Sequence, residues 1–191
     1  MSDPGQDISE VVFDADVIAG RVQQLARAIE NGYRRRLTDP DWYLVVISVL
    51  RGGIYFLTDL TRALTLPQTI DLMAVSRYGE ASSSGVVRLL KDLDDDIEKR
   101  DVLVVEDVID TGLTLGYLIA NLRARRPRSL SVCTLLDRPN LRIVDDLPVN
   151  YVGFEIDERF LVGYGLDYRQ RYRHLPYLGV LGDDVLRQLQ P

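Results

Sequence analysis

The chain has 191 residues, 46% of them hydrophobic and 27% charged, with a formal net charge of −6 and one cysteine. That length suits one domain with a sizeable core, the composition excludes a disordered chain, and the acidic balance argues against non-specific nucleic-acid binding, which needs a basic surface. Cys133 alone excludes an internal disulfide, no apolar span approaches membrane length, and the opening MSDPGQDISE lacks the basic flank and apolar centre of an export signal, so the expected compartment is the cytoplasm.

In chain order, the first dozen residues are polar and hold Pro4 and Gly5, which predicts a loose lead-in. From Asp14 to Arg36 the residues Val17, Ile18, Val22, Leu25, Ala26 and Ile29 recur at helical spacing, with Asp14 or Asp16 placed to cap the start. Thr38, Asp39 and Pro40 interrupt that helix, and Trp42 to Leu50 follows as a buried strand rich in Val and Ile. Arg51-Gly52-Gly53 then opens a helix over Ile54 to Leu64. A cation beside two glycines there is either a plain strand-to-helix turn or an anion site whose amides point at a ligand. Thr69 to Val75 is a further strand. Ser76 to Val87 has the serine- and glycine-rich composition of a mobile loop or a solvated hairpin, and Lys91 to Arg100, KDLDDDIEKR, that of a solvated turn.

The most informative stretch is Asp101 to Thr114, DVLVVEDVIDTGLT. Val102 to Val105 are apolar and mostly β-branched, as in a strand buried on both faces of a parallel sheet. Leu115 to Leu122 returns to helical spacing, so the chain between reverses direction. Gly112 can take positive φ and let the backbone approach a ligand, while Thr111 and Thr114 add hydroxyls beside the exposed amides of a helix start, where a phosphate fits. Glu106 and Asp107 would repel a phosphate unless they hold sugar hydroxyls or a hydrated Mg²⁺, which together describe a ribose 5-phosphate. The plain alternative is a strand end with solvated acids and Asp110 or Thr111 as a helix N-cap.

A helix from Leu115 to Arg125 and a strand from Ser129 to Leu136 complete an alternation that predicts βαβ units and a parallel sheet, whose sites gather at the carboxyl ends of the strands. At such an end, LLDRPN (135–140) places Arg138 near the acids. After Pro139 the pieces Tyr151 to Phe154, Phe160 to Gly163 and Leu178 to Leu181 are too short to assign as helix or strand.

The 101–114 run closely resembles the 5-phosphoribosyl-1-pyrophosphate (PRPP) signature of the type I phosphoribosyltransferases: a hydrophobic strand, two acids, two apolar residues, then Asp, Thr, Gly and Thr in a short loop. KDLD at 91, LLDRPN, and the stretch VGFEIDERFLVGYGLDYRQRYR (152–173) extend the resemblance to the hypoxanthine-guanine branch over residues 12 to 182. It implies an α/β parallel-sheet fold in a single domain, with a core over about residues 12–150 and a small C-terminal hood over about 151–182. It also implies purine salvage, in which the phosphoribosyl group of PRPP passes to hypoxanthine or guanine with Mg²⁺ as cofactor, and a homodimer or homotetramer.

The resemblance assigns roles residue by residue. Glu106 and Asp107 hold the ribose hydroxyls directly or through metal-bound water, and Thr111, Gly112, Leu113 and Thr114 hold the 5-phosphate. Asp110 takes the purine N7 proton. Arg51, Gly52 and Arg173 contact pyrophosphate, with a strained or cis peptide at Leu50–Arg51. Ser76, Arg77 and Tyr78 belong to a lid that excludes water. Phe160 stacks on the base, the backbone at Leu161 meets its far edge, and Asp167 joins Glu106 and Asp107 at the metal. Arg51 and Arg138 stand where this family often has lysine, and Arg77 separates the lid's Ser and Tyr. An arginine at 138 still donates to a purine oxygen but pivots less.

Residue-level alternatives are a core Phe160 and a solvated run of arginines and tyrosines. The interleaving of Arg169, Arg171 and Arg173 with tyrosines would suit RNA, but the acidic charge opposes it. His174 is the sole histidine, which removes Ser-His-Asp chemistry, and Leu113 after Gly112 removes a Walker lysine. The rival readings are a phosphoribosyltransferase for xanthine, adenine or a pyrimidine, and a non-catalytic regulator that senses PRPP or nucleotides.

Overall fold

Residues 7–78, 86–182 and 184–185 are described by the computed structural model, and their strands fall into two sheets. The larger contains β2 (Leu44–Leu50), β3 (Gln68–Tyr78), β4 (Val86–Lys91), β5 (Asp101–Ile109), β6 (Ser129–Asp137) and β7 (Val149–Glu155) in the order β4-β3-β2-β5-β6-β7. All neighbours are parallel except β3 and β4. Successive strand residues point to opposite faces, and β2 and β5 are apolar at both parities because both faces are covered. Leu44, Val46, Leu103 and Val105 pack toward α1 (Ala15–Tyr33) and α2 (Gly53–Ala63), whereas Val45, Ile47, Val102 and Val104 pack toward α3 (Leu113–Ala124).

The helix interiors follow the periodicity of the sequence. In α1 the residues Ile18, Val22, Leu25, Ala26, Ile29 and Tyr33 form the buried stripe, and Asp14 caps the start by accepting from the Val17 amide at 2.8 Å. The helix ends at Tyr33 rather than at Arg36, because the chain tightens into a 3₁₀ turn over Arg34–Thr38. That turn carries Arg36 to the buried Asp101 at 3.3 Å. Asp101 also accepts from Trp42 Nε1 at 2.8 Å and Ser129 Oγ at 2.6 Å, tying α1's end to β5 and β6 at the edge of the sheet remote from their carboxyl ends.

Residues 1–6 of the predicted lead-in lie outside the described residues, and the rest of it is not loose. Ile8–Phe13 forms β1, which pairs antiparallel with β9 (Leu178–Leu181), and β9 pairs with β8 (Leu161–Val162) to give a second sheet of order β1-β9-β8. The polar composition concealed this because β1 is held by backbone pairing and by Phe13, which stacks on Phe154 at 4.1 Å. The small sheet therefore draws on both ends of the chain, and β7, placed at the start of the predicted hood, belongs to the main sheet. Ser76, Arg77 and Tyr78 follow the hairpin reading rather than the mobile loop: they lie in β3 antiparallel to Arg88, Val87 and Val86, since a polar segment can still extend a backbone ladder. Residues 79–85 of the expected lid lie outside the described residues. No helix among the described residues is long and apolar enough to cross a membrane.

Candidate active site

β2 and β5 are parallel neighbours, so the turns after them open on one edge. A cleft of about 330 Å³ lies there, lined by Arg51 and Gly52 from the first turn and by Glu106, Asp107, Asp110, Thr111, Gly112 and Thr114 from β5 and the second. Asp167 and Arg173 reach it from the chain between β8 and β9. Six residues expected around PRPP, the three expected at pyrophosphate and Asp167, expected at the metal, thus line one cleft. Val49, Val75 and Leu115 also line it and were not singled out from the sequence, where they read as ordinary apolar element ends.

Three close approaches assemble the cleft. A Cβ on Gly52 would lie 1.7 Å from Asp107 Oδ2, so only glycine lets that carboxylate rest against the turn. A Cβ on Gly165, whose φ is +98°, would lie 2.4 Å from the Gly52 carbonyl, so the segment carrying Asp167 and Arg173 is seated on the same turn. Tyr164 reinforces the seat by donating its hydroxyl to Asp59 of α2 at 2.6 Å, and burial, followed by that bond, pushes its pKa up. The Leu50–Arg51 peptide is cis, as the resemblance implied.

The acids differ from the predicted strand end in one respect. β5 continues through Glu106 and Asp107 to Ile109, because the ladder to β6 persists to the Ile109–Asp137 pair. Glu106 is therefore buried, and burial together with the neighbouring Asp107 charge pushes its carboxyl well above the usual range. Asp107 is also pushed up, chiefly by burial, although the Val108 amide donates to it at 2.9 Å and Arg173 lies near. Two adjacent, partly desolvated carboxylates favour a partner that supplies protons or positive charge, such as sugar hydroxyls or a hard cation that keeps waters.

Asp167 faces the same cleft but is engaged: Arg173 approaches it at 2.5 Å and the Gln170 amide donates to it at 2.8 Å. Among the described residues no three histidine, cysteine or acidic groups converge as a metal cluster. Glu106 and Asp107, two neighbouring carboxylates at the cleft, would suit Mg²⁺ completed by substrate oxygens and water. Gln170 was missed by sequence reading. It links Arg51, whose Nη1 donates to it at 3.2 Å, to the Asp167–Arg173 pair, and nothing in the run YRQRYR distinguishes it.

The turn from Asp110 to Thr114 follows neither form of the capping alternative. Gly112 is the N-cap of α3, with φ +78°, and no side chain caps it. Thr111 Oγ stands 3.4 Å from the Leu113 amide, and Leu113 itself points outward. The base-side residues form a second group beside the cleft. Arg138 pairs with Asp110 at 3.0 Å, Phe160 is 42% exposed and meets Tyr168 in a T-shaped arrangement at 5.5 Å, and Leu161 is buried in the small sheet. Arg142, unremarked in the sequence, pairs with the buried Asp137 beneath Arg138.

A mostly parallel α/β sheet with an acid pair leading into a phosphate-sized turn, roofed by a small second sheet, defines the type I phosphoribosyltransferase fold. The phosphoribosyl transferase domain family matches residues 18–169. The chain is 52% identical over 186 residues to the hypoxanthine-guanine phosphoribosyltransferase of Mycobacterium avium, covering 97% of this chain and 91% of that one. It is 46% identical over 171 residues to the hypoxanthine phosphoribosyltransferase of Salmonella typhimurium, covering 89% and 93% respectively. A solved structure of the hypoxanthine phosphoribosyl transferase of Trypanosoma cruzi superimposes with a TM-score of 0.91 at 37% identity, over 98% of both chains. The chain belongs to the phosphoribosyltransferase family and, within it, to the hypoxanthine-guanine phosphoribosyltransferases.

Proposed function

We propose that the protein transfers the 5-phosphoribosyl group of PRPP to hypoxanthine or guanine in purine salvage, giving IMP or GMP and pyrophosphate, as one cytoplasmic catalytic domain in a homodimer or homotetramer. The observation that carries this reading is the single cleft shared by the acid pair, the Asp110–Thr114 turn, Arg51 and Arg173. In it, Thr111 to Thr114 hold the 5-phosphate by amides and hydroxyls, while Glu106 and Asp107 take the ribose hydroxyls.

In the transfer, the bond from ribose C1 to pyrophosphate breaks with its electron pair leaving on the pyrophosphate oxygen, a purine ring nitrogen bonds C1, and the purine N7 proton passes to Asp110. The ribosyl centre is cationic in passage, so holding both reactants in line and excluding water carry much of the catalysis. Arg51 and Arg173 offset the charge that develops on pyrophosphate. Glu106, Asp107 or Asp167 would hold Mg²⁺ together with substrate oxygens, and the ion would supply further stabilisation of that leaving group. Phe160 offers its exposed face to the base, the Leu161 backbone its far edge, and Arg138 a donor to the oxygen at position 6. Incubation with Mg²⁺, PRPP and hypoxanthine should yield IMP and pyrophosphate in equal amounts; pyrophosphate without nucleotide would oppose the reading.

A further inference from the structure

Arg138 is held at both ends of its guanidinium. Nη1 donates to Asp110 Oδ1 at 3.0 Å, Nη2 donates to the Arg159 carbonyl at 2.8 Å, and the side chain is 13% exposed. The first partner lies in the turn after β5; the second lies between β7 and β8, one residue before Phe160. Arg159 is itself anchored, its amide and Nε donating to Asp157 and its Nη1 to Glu10 on β1 at 2.9 Å. A continuous series of bonds therefore joins the Asp110 turn to the backbone that carries Phe160 and to the edge strand of the small sheet.

We propose that Arg138 is a positioning residue that fixes the Arg159–Phe160 backbone relative to Asp110, setting the stacking face and the proton acceptor in one geometry before a base arrives. The proposal rests on the roles given above to Phe160 and Asp110. A planar guanidinium suits the task because its fork presents N–H groups at fixed separation to acceptors on two elements, whereas an ammonium on a flexible stem supplies charge without that constraint. Order already present in the free protein is not lost again on binding, so the bridge favours base affinity. Arginine at this position is then not interchangeable with the lysine that would serve base recognition alone.

The test is the full-length Arg138→Lys variant, read first without substrate. Amide hydrogen exchange over residues 156–162 is expected to quicken about fivefold or more, because local opening no longer breaks the bridge. The KM for hypoxanthine is expected to rise about five- to tenfold while that for PRPP stays within about twofold, the signature of a lost base-side constraint. Exchange like that of the native protein, with hypoxanthine bound equally well or better, would overturn the proposal and leave Arg138 as a reader of the base only. Faster exchange in a variant whose native parent transfers to no oxopurine would sustain the bridge and remove the functional reading instead. If the lysine variant folds poorly, Asp110→Ala removes the opposite arm. The same quickening over 156–162 is expected there, and unchanged exchange would contradict the bridge.

Discussion

Gly52 and Gly165 have no space for a side chain, and each lack of space has a consequence. A methyl group at 52 would overlap the Asp107 carboxylate, and at 165 it would overlap the Gly52 carbonyl from a left-handed backbone. Gly52→Ala is expected to cost about 1–3 kcal/mol in urea unfolding, through overpacking against the Asp107 carboxylate, which must turn away. It should also displace Asp107 and so weaken PRPP binding; an alanine variant with native stability and native PRPP affinity would contradict this packing. Asp110 acts at the same scale but in another way. It is 42% exposed and, among the described residues, tied by Arg138 alone, so Asp110→Asn should leave folding intact. Loss of a general base predicts a fall of about 10²- to 10⁴-fold in kcat with PRPP affinity little changed. Equal losses in both would count against Asp110 as the proton acceptor.

At the scale of elements, the charged segment between β4 and β5 is fastened by one residue of β3. Asp71 accepts from the amides of Leu72 at 2.7 Å and Asp94 at 2.8 Å, and Lys91 lies 3.5 Å away. Burial pushes its carboxyl up, but these amides, that of Asp95 and the ammonium outweigh burial and hold it below the usual range. A carboxyl lowered on folding contributes stability above its unfolded value, near about 3.9, and loses that contribution as pH falls through the lower folded value. Asp71→Asn is expected to cost about 1–3 kcal/mol at pH 7, by lost charge-assisted hydrogen bonds. In denaturation followed against pH, the gap from the native protein should close in acid; a gap independent of pH would exclude this account.

Elements also mark what the sequence could disclose. The stripe of α1 and the two-faced apolar runs of β2 and β5 are local patterns, and they appear in the fold as read except for Val17, which is exposed. β1 was unreadable because its partner, β9, lies at the other end of the chain and the residues ISEVVF carry no clear alternation. β5 runs past its acids because a parallel ladder is made by backbone and is indifferent to the charge of Glu106. In the site, the order of acids, threonines and glycine was legible because the motif is contiguous. The seat of Gly165 on Gly52, the Gln170 contacts and the bridge from Asp110 through Arg138 to Arg159 were not, since each joins segments distant in sequence.

Across the whole molecule, stability and function sit at opposite edges of the main sheet. The cleft opens at the carboxyl ends of β2 and β5, while Asp101 gathers Trp42, Arg36, Arg128 and Ser129 at their amino ends. Asp101→Ala leaves the buried Trp42 N–H without its acceptor and is expected to cost about 2–4 kcal/mol in thermal or urea unfolding. KM values for PRPP and base should be unaltered, because nothing in that cluster lines the cleft; a change in KM with native stability would show the two edges to be coupled. The cleft and its base-side neighbours are tested most directly by offering hypoxanthine, guanine, xanthine and adenine separately to the purified protein with PRPP and Mg²⁺, following nucleotide and pyrophosphate. The account expects IMP and GMP to form in preference to XMP and AMP. PRPP binding with no nucleotide from any base would contradict it and point to a regulator that retains the fold without the transfer.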